Sequence, residues 1–233
     1  MRTNLECVIL CGGLGTRIKS KFPNVPKILI PINKKPFLNY KLKNLSFINN
    51  FVFCTGKKSN QIENYCKKYL KNTKYSIVKE KEQLGTGGSL KNSLKYLSNN
   101  FFFFTYGDNF LLDIPYSKMI LSSKSKKKSV MLIYKNKNLY DKSNIYFTKN
   151  NKIKYDKNNN PKANFIDYGF FLLKKDDIEN IKLNKKKFDF GEILQKLIEK
   201  NKINFIMSKK RFYEIGNFNS YNDFKKFITK KSL

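Results

Sequence analysis

Short apolar or β-branched runs bounded by turn residues recur along the chain: CVILC at 7–11, FVFCTG at 51–56, YSIVKE at 75–80, FFFFTYGD at 101–108, SVMLIY at 129–134, YGFFLL at 168–173 and INFIMS at 203–208. Between the early runs the apolar spacing widens to that of a helix, in PFLNYKLKNL, SNQIENYCKKYL and GSLKNSLKYL. Strand and helix in alternation imply crossover connections, which set successive strands parallel and cover both faces of the sheet with helices. The first half therefore predicts a doubly wound α/β arrangement. The second half is less regular. NIYFTKNNKIKYDK predicts a hairpin turning at Lys149 to Lys152, and KKKFDFGEILQKLIEK opens a helix near Phe190 with Ile193, Leu194, Leu197 and Ile198 on its apolar face. SYNDFKKFITKK closes the chain as an amphipathic helix, while KSKKK (124–128) and DKNNNPKAN (156–164) read as solvated loops, the second a candidate flap.

With 233 residues, no internal repeat and no long linker, residues 1–233 are expected to form one domain with a sizeable core. No stretch approaches the ~18 apolar residues of a membrane span, and the N-terminus enters a strand too early for a signal peptide, so a cytoplasmic protein without a membrane partner is expected. The four cysteines, Cys7, Cys11, Cys54 and Cys66, show no CxxC spacing and there is no histidine, which supports neither a zinc site nor a disulfide framework. Histidine general bases and triads are excluded with them. Cys7 and Cys11 share one face of a strand and read as core thiols. The formal charge of +31 suggests a polyanion partner, but lysine supplies nearly all of it and arginine occurs only at Arg2, Arg17 and Arg211. Scattered lysines describe a solvated surface rather than a groove that reads phosphates and bases, so no nucleic-acid partner is expected.

The candidate chemistry begins where CVILC runs into GGLGTR. Ligands of open α/β sheets sit at the carboxyl ends of strands, and glycines let backbone N–H groups approach phosphate oxygens. The loop lacks the third glycine of a dinucleotide-binding fingerprint and the GK[ST] of a Walker loop. It ends instead in Arg17, and ten residues later Lys27 follows Pro26 in a segment stiffened by Pro23 and Pro31. Two fixed cations beside a glycine loop suit a triphosphate. A second glycine stretch, EKEQLGTGGSLKNSL at 80–94, joins another strand to a helix. The apolar strand FFFFTY ends in Gly107 and Asp108, where a carboxylate facing a triphosphate is a hard oxygen ligand for Mg2+.

CGGLGTR followed by PKILIPINKKPFL closely resembles the signature of the sugar-1-phosphate nucleotidylyltransferases, the NDP-sugar pyrophosphorylases, and the resemblance runs over nearly the whole chain. In length and loop sequence it is most similar to the small bacterial heptose-1-phosphate guanylyltransferase type. The resemblance implies a Rossmann-like, mostly parallel mixed sheet with helices on both faces. It implies a cytoplasmic enzyme of NDP-sugar and cell-surface polysaccharide synthesis that joins an NTP, with GTP favoured, to a hexose or heptose 1-phosphate and releases pyrophosphate. Residues 1–110 would form the NTP-binding half and 111–233 the acceptor half of a monomer or homodimer. Leu10, Gly12, Gly13, Gly15, Thr16 and Arg17 would hold the nucleotide's phosphates, and Glu80, Gln83, Leu84, Gly85 and Gly88 its base. Arg17, Lys27 and Asp108 would be catalytic. Mg2+ would bind Asp108 and Glu214, the latter standing where aspartate is usual. The acceptor would meet Lys27, Tyr106, Asp156, Lys157, Asp167, Tyr168 and Gly169, and the departures from the family pattern at Tyr106, Asp167 and Tyr168 leave its identity open. A CTP-dependent enzyme acting on a phosphorylated alcohol or amino-acid derivative is the alternative, and a basic nucleotide- or RNA-binding protein without catalysis is the alternative of another class.

Overall fold

A computed structural model describes residues 3–13, 15–150, 152–158 and 160–231. In chain order the first elements are β1 (Thr3–Leu10), β2 (Pro31–Ile32), β3 (Lys35–Pro36), α1 (Phe37–Asn44), β4 (Ile48–Thr55), α2 (Ser59–Tyr69), β5 (Lys74–Lys79), α3 (Gly85–Ser93), β6 (Phe101–Tyr106) and β7 (Asn109–Leu111). There follow α4 (Tyr116–Lys126), β8 (Ser129–Lys135), β9 (Ile145–Phe147), β10 (Ile153–Tyr155), β11 (Phe165–Lys174), α5 (Lys175–Glu179), α6 (Phe190–Glu199), β12 (Ile203–Ser208), β13 (Phe212–Glu214) and α7 (Phe218–Lys231). Every apolar run named above lies on a strand, and both late helices form. No helix among the described residues is long and apolar enough to cross a membrane.

The chain divides into two compact units that interleave in sequence. One comprises Met1–Gln83, Thr105–Leu111 and Phe212–Leu233, the other Leu84–Phe104 and Leu112–Arg211. Neither unit is contiguous in sequence. The reason lies at the C-terminus: β13 pairs antiparallel with β7, and Phe224 of α7 packs its ring on Phe37, Tyr40 and Phe110. Burying those rings joins residues far apart in sequence into one core.

In the first unit β1, β4 and β5 run parallel, with Leu10 opposite Cys54 and Cys54 opposite Val78. In the second unit β8 lies between antiparallel β11 and parallel β12, and the β9–β10 hairpin adjoins β11. Its core is aromatic: Phe103 meets Phe170, and Phe104, Phe171 and Phe190 meet one another. Parallel and antiparallel ladders together give a mixed α/β fold.

Two local departures from the expected elements, at α4 and α3, have physical causes. Helix α4 carries so little apolar signal, with only Met119 and Ser123 buried, that its pattern does not stand out; it takes in Lys124 to Lys126 of the expected loop and ends at Lys127 in a left-handed conformation. Helix α3 starts at Gly85, so the glycines of LGTGG form its first turns instead of a preceding loop. After the first glycine loop the chain runs through turns, with Ile18 N–H donating to Gly15 O and Lys21 N–H to Ile18 O, and no α-helix follows until Phe37. The hairpin turns where expected, although Asn151 lies outside the described residues, as does Asn159 of the 156–164 loop. That loop is organised by Asp156, which accepts from Asn158 N–H at 2.8 Å and from Asn160 Nδ2 at 3.1 Å.

Candidate functional site

In the first unit, β1 delivers the glycine loop and the end of β6 delivers Asp108. The two meet through the backbone: Gly107 N–H donates to Leu10 O at 2.9 Å. A side chain at 107 is impossible there, since its Cβ would lie 2.4 Å from Leu10 O. Asp108 therefore emerges from a fixed turn, and its Oδ2 lies 2.9 Å from Lys27 Nζ, with the two side chains 31% and 17% exposed. Lys27 opens a 3-10 turn, Lys27–Leu29, whose buried Ile28 anchors it, and Pro26 before it has φ −58°. The prolines hold the backbone and the ion pair orients the head group.

Gly15 sits at φ +60°, a conformation costly for other residues, and lies against the Lys27 stem: a Cβ there would be 3.6 Å from Lys27 Cε. Gly12 and Gly56 approach each other so closely that a Cβ on Gly56 would be 3.1 Å from Gly12 O. A Cβ on Gly13 would meet nothing within 4 Å. A cavity of about 100 Å³ opens beside this loop, lined by Gly12, Gly13, Gly15, Lys27, Gly56 and Lys57 among others. Leu10 is half-buried at the strand end, and Glu80 reaches the loop, a Gly12 Cβ lying 3.7 Å from its Oε1. Thr16, Arg17 and Gln83 are exposed, and Arg17 does not line this cavity. Gly56 and Lys57 were not singled out from the sequence; the signal available was a third strand ending in glycine, FVFCTG, followed by lysine.

Glu214 ends β13 opposite Asn109, and the Ile215 N–H donates to Asp108 O at 3.0 Å. The two acids thus stand on adjoining strand ends. Glycine at 216 makes room for the glutamate, because a Cβ there would sit 2.5 Å from Glu214 Oε2. Asn217 Nδ2 lies 3.5 Å from Glu214 Oε1. No cluster of three or more His, Cys, Asp or Glu side chains able to hold a metal occurs among the described residues. Two carboxylates, with water and phosphate oxygens completing the shell, form the donor set that suits Mg2+. Tyr106 is half-buried at the end of β6.

In the second unit the α3 glycines have a packing reason. Gly85 has φ +73°, and a Cβ on Gly85, Gly87 or Gly88 would come within 2.5 Å of Phe188 O, 2.5 Å of the Phe188 ring and 2.8 Å of Leu84 Cβ, respectively. Leu84 O accepts from Phe188 N–H at 3.0 Å. Lys157 is exposed, and its stem and the Tyr155 hydroxyl both lie against Gly191. Asp156 is committed to its loop, and the Asn158 N–H holds its carboxyl below the usual range. Asp167 Oδ2 accepts from Asn144 Nδ2 at 2.7 Å, while burial pushes its carboxyl above the usual range. Gly169 is buried with φ +73°. Tyr168, expected at the acceptor, is 1% exposed; its ring meets Tyr134 and its hydroxyl donates to Arg211 O at 3.0 Å, so its side chain packs the core.

Residues 6–231 match the Nucleotidyl transferase family. The chain is 34% identical over 219 residues to the D-glycero-alpha-D-manno-heptose 1-phosphate guanylyltransferase of Campylobacter jejuni, covering 91% of this chain and 95% of that protein. It is 29% identical over 217 residues to the enzyme of the same description from Aneurinibacillus thermoaerophilus, covering 91% and 93%. Among solved structures, HddC from Yersinia pseudotuberculosis complexed with GMP-PN superposes with a TM-score of 0.76 at 26% identity, covering 96% of this chain and 99% of that one.

Proposed function

Because the chain belongs to the nucleotidyl transferase family, we propose that it joins GTP to a heptose 1-phosphate of the D-glycero-α-D-manno class, giving the GDP-sugar and pyrophosphate. The observation that carries this reading is the Lys27–Asp108 pair, 2.9 Å long, beside a cavity walled by Gly12, Gly13 and Gly15. In support of the reading, the pair offers a cation to a phosphate and a carboxylate to a divalent ion beside backbone amides that carry no side chains.

An acceptor phosphate oxygen attacks the α-phosphorus in line, the new P–O bond forms as the bond to the β-phosphate oxygen breaks, and pyrophosphate leaves with the electron pair. The nucleophile is already an anion, so no general base is needed, in keeping with a sequence that has no histidine. Catalysis is then a matter of alignment and charge neutralisation. Lys27 takes the α-phosphate as charge builds on it; the amides of Gly12, Gly13, Gly15 and Thr16 hold the β- and γ-phosphates, with the exposed Arg17 closing on them. Asp108 and Glu214 would hold Mg2+, which when bound neutralises phosphate charge. Glu80, Gln83, Leu84, Gly85 and Gly88 serve the base, while Lys157, with Asp156, Asp167, Gly169 and Tyr106, serves the acceptor. Both substrates are highly charged and water-soluble, which fits a cytoplasmic enzyme.

The test is pyrophosphate release from each of the four NTPs with heptose, mannose and glucose 1-phosphates and a phosphorylated alcohol, with Mg2+ and with chelator. Turnover of GTP with the heptose phosphate, abolished by chelator, is expected. Turnover confined to CTP and the phosphorylated alcohol would replace the sugar reading with its alternative, and no turnover with any pair would overturn it.

A further inference from the structure

One charged side chain in the first unit has no place in the chemistry above. Lys41 lies on α1 among the buried Phe37, Leu38 and Tyr40, and is itself only 1% exposed. Its ammonium has three protons and three acceptors: Asn109 Oδ1 at 2.6 Å, Asn109 O at 3.0 Å and Thr105 Oγ1 at 3.2 Å. Thr105 in turn donates to Asn109 Oδ1 at 3.2 Å, closing a small ring of hydrogen bonds.

Among the described residues no carboxylate pairs directly with this cation. The groups that act on it electrostatically are Cys7, Asp108 and Cys11. Burial pushes the Cys7 thiol up to about 12 and raises that of Cys11, so neither thiol carries a charge to balance the ammonium. A buried ammonium is a costly way to fill space that methionine or leucine would fill at no electrostatic cost. What it obtains is a grip on both ends of one short segment. Thr105 and Asn109 flank the Gly107–Asp108 turn, and Asn109 is also the residue opposite Glu214 in the β7–β13 ladder.

We propose that Lys41 is a positioning residue: from beneath, it clamps the Thr105–Asn109 segment so that Asp108 keeps its place and a compensating positive charge when Lys27 leaves it for a nucleotide phosphate. Asp108 then stands on a segment gripped at both ends by a cation that does not move, while the cation it pairs with can. The inference rests on the nucleotidyl-transfer reading only for what Lys27 moves to; the clamp itself is present without substrate.

Two readouts test it on the full-length protein, one of them independent of turnover. The first is acylation of individual lysines by acetic anhydride, followed by mass spectrometry of the folded, substrate-free protein. In Lys41→Met the loosened Asp108 releases Lys27, whose acylation rate rises at least threefold, while Lys91 and Lys175, bonded to Ile181 O and Leu97 O, serve as unchanged internal standards. The second is steady-state kinetics: kcat falls about thirtyfold with the GTP KM within threefold, the pattern of lost alignment rather than lost binding. Should Lys41→Met not fold, Thr105→Val, which removes one acceptor and keeps the shape, is expected to give the same pattern at about threefold in each readout. A folded variant whose Lys27 labels at the wild-type rate overturns the clamp, as does a rise at Lys27 matched by Lys91 and Lys175. If the wild-type protein turns over none of the substrates, the functional reading falls, and the labelling result still decides the role of Lys41.

Discussion

Replacing Lys27 by methionine keeps the length of the stem and removes only the charge. Two consequences can be sized. The ion pair it breaks is 2.9 Å long between side chains 17% and 31% exposed, an environment between water and protein interior. At an effective dielectric constant of about 20 the gross attraction at this distance is about 6 kcal/mol, and desolvation and screening offset most of it, leaving about 1–2 kcal/mol of net stability. For a chain of this size that lowers Tm by roughly 2–8 °C. The catalytic consequence is larger. A single preorganised donor aimed at charge that develops in the transition state is worth about 2.7–4 kcal/mol, or a factor of about 10²–10³ in kcat. Initial rates of pyrophosphate release over a range of GTP concentrations, with melting curves on the same preparations, give both numbers. The expected result is a kcat reduced about 10²–10³-fold, a GTP KM changed by less than about fivefold, and a Tm only a few degrees lower. Lys27→Arg keeps the charge and should recover part of the loss. A Lys27→Met protein with the lowered Tm but undiminished kcat would mean that the lysine is only the counterion of Asp108, and the assignment would fail. A raised KM with intact kcat would assign it to ground-state binding instead.

Other perturbations follow from the same geometry. Gly13→Ala and Gly107→Ala form a contrasting pair: at 13 a Cβ meets nothing within 4 Å, so melting should be unchanged while the NTP KM rises if the loop holds phosphates; at 107 a Cβ lies 2.4 Å from Leu10 O, so Tm should fall by more than about 5 °C or the protein should be insoluble. Unchanged kinetics in a folded Gly13→Ala would remove the loop from the phosphate site. Asp167, whose carboxyl is raised mainly by burial, binds its proton more tightly folded than unfolded, so its contribution to stability falls as pH rises through the carboxylate range. Asp167→Asn should therefore melt higher than wild type at pH 7, lose that advantage below pH ~4, and raise the acceptor KM; a lower Tm at pH 7 refutes the reasoning. For Lys41 the sign is opposite. Its pKa is lowered from 10.5 to about 8, so between those values the unfolded chain binds more protons and this residue's contribution to stability rises with pH, by up to about 3 kcal/mol. Denaturant titrations at pH 7 and pH 10 should show wild type gaining on Lys41→Met; parallel curves would mean the ammonium is not buried.

How much of this was readable in the sequence depends on the scale of the signal. Strands such as FFFFTY and SVMLIY announce themselves because burial on both faces demands continuous apolar runs. Helix α6 is legible through the apolar stripe of Ile193, Leu194, Leu197 and Ile198, and the structure adds a capping box of Asp189 and Glu192 at its start. Helix α4 is not, because Tyr116–Lys126 buries little and mixes serines and lysines with its apolar residues. Lys27 and Asp108 follow from motif and strand-end position, and the structure brings them together across 81 residues. Lys41 was hidden for a different reason. In a chain with so many solvated lysines, a lysine on an amphipathic helix reads as surface; only the placement of Thr105 and Asn109, fixed by tertiary pairing, shows it pointing inward. Tyr168 is named only through the family resemblance; that its ring is buried against Tyr134 is set by tertiary packing, which the sequence does not display.

The way these residues are held bears on why the chemistry needs so little from the side chains themselves. Three segments distant in sequence are joined at the candidate site by backbone hydrogen bonds, Gly107 N–H to Leu10 O and Ile215 N–H to Asp108 O, and by one buried ammonium. Backbone bonds of this kind are set by the ladders around them and do not reorganise when a ligand arrives. The groups left to move are the ends of long side chains, above all Lys27, whose present partner is an anion of the same hardness as a phosphate oxygen. On the proposed reading, exchanging one anionic oxygen for another keeps the ammonium paired while the geometry around it stays fixed. For a reaction between two phosphates, where repulsion and misalignment make up most of the barrier and no proton need be removed from the nucleophile, a rigid frame with one exchangeable cation is the main requirement.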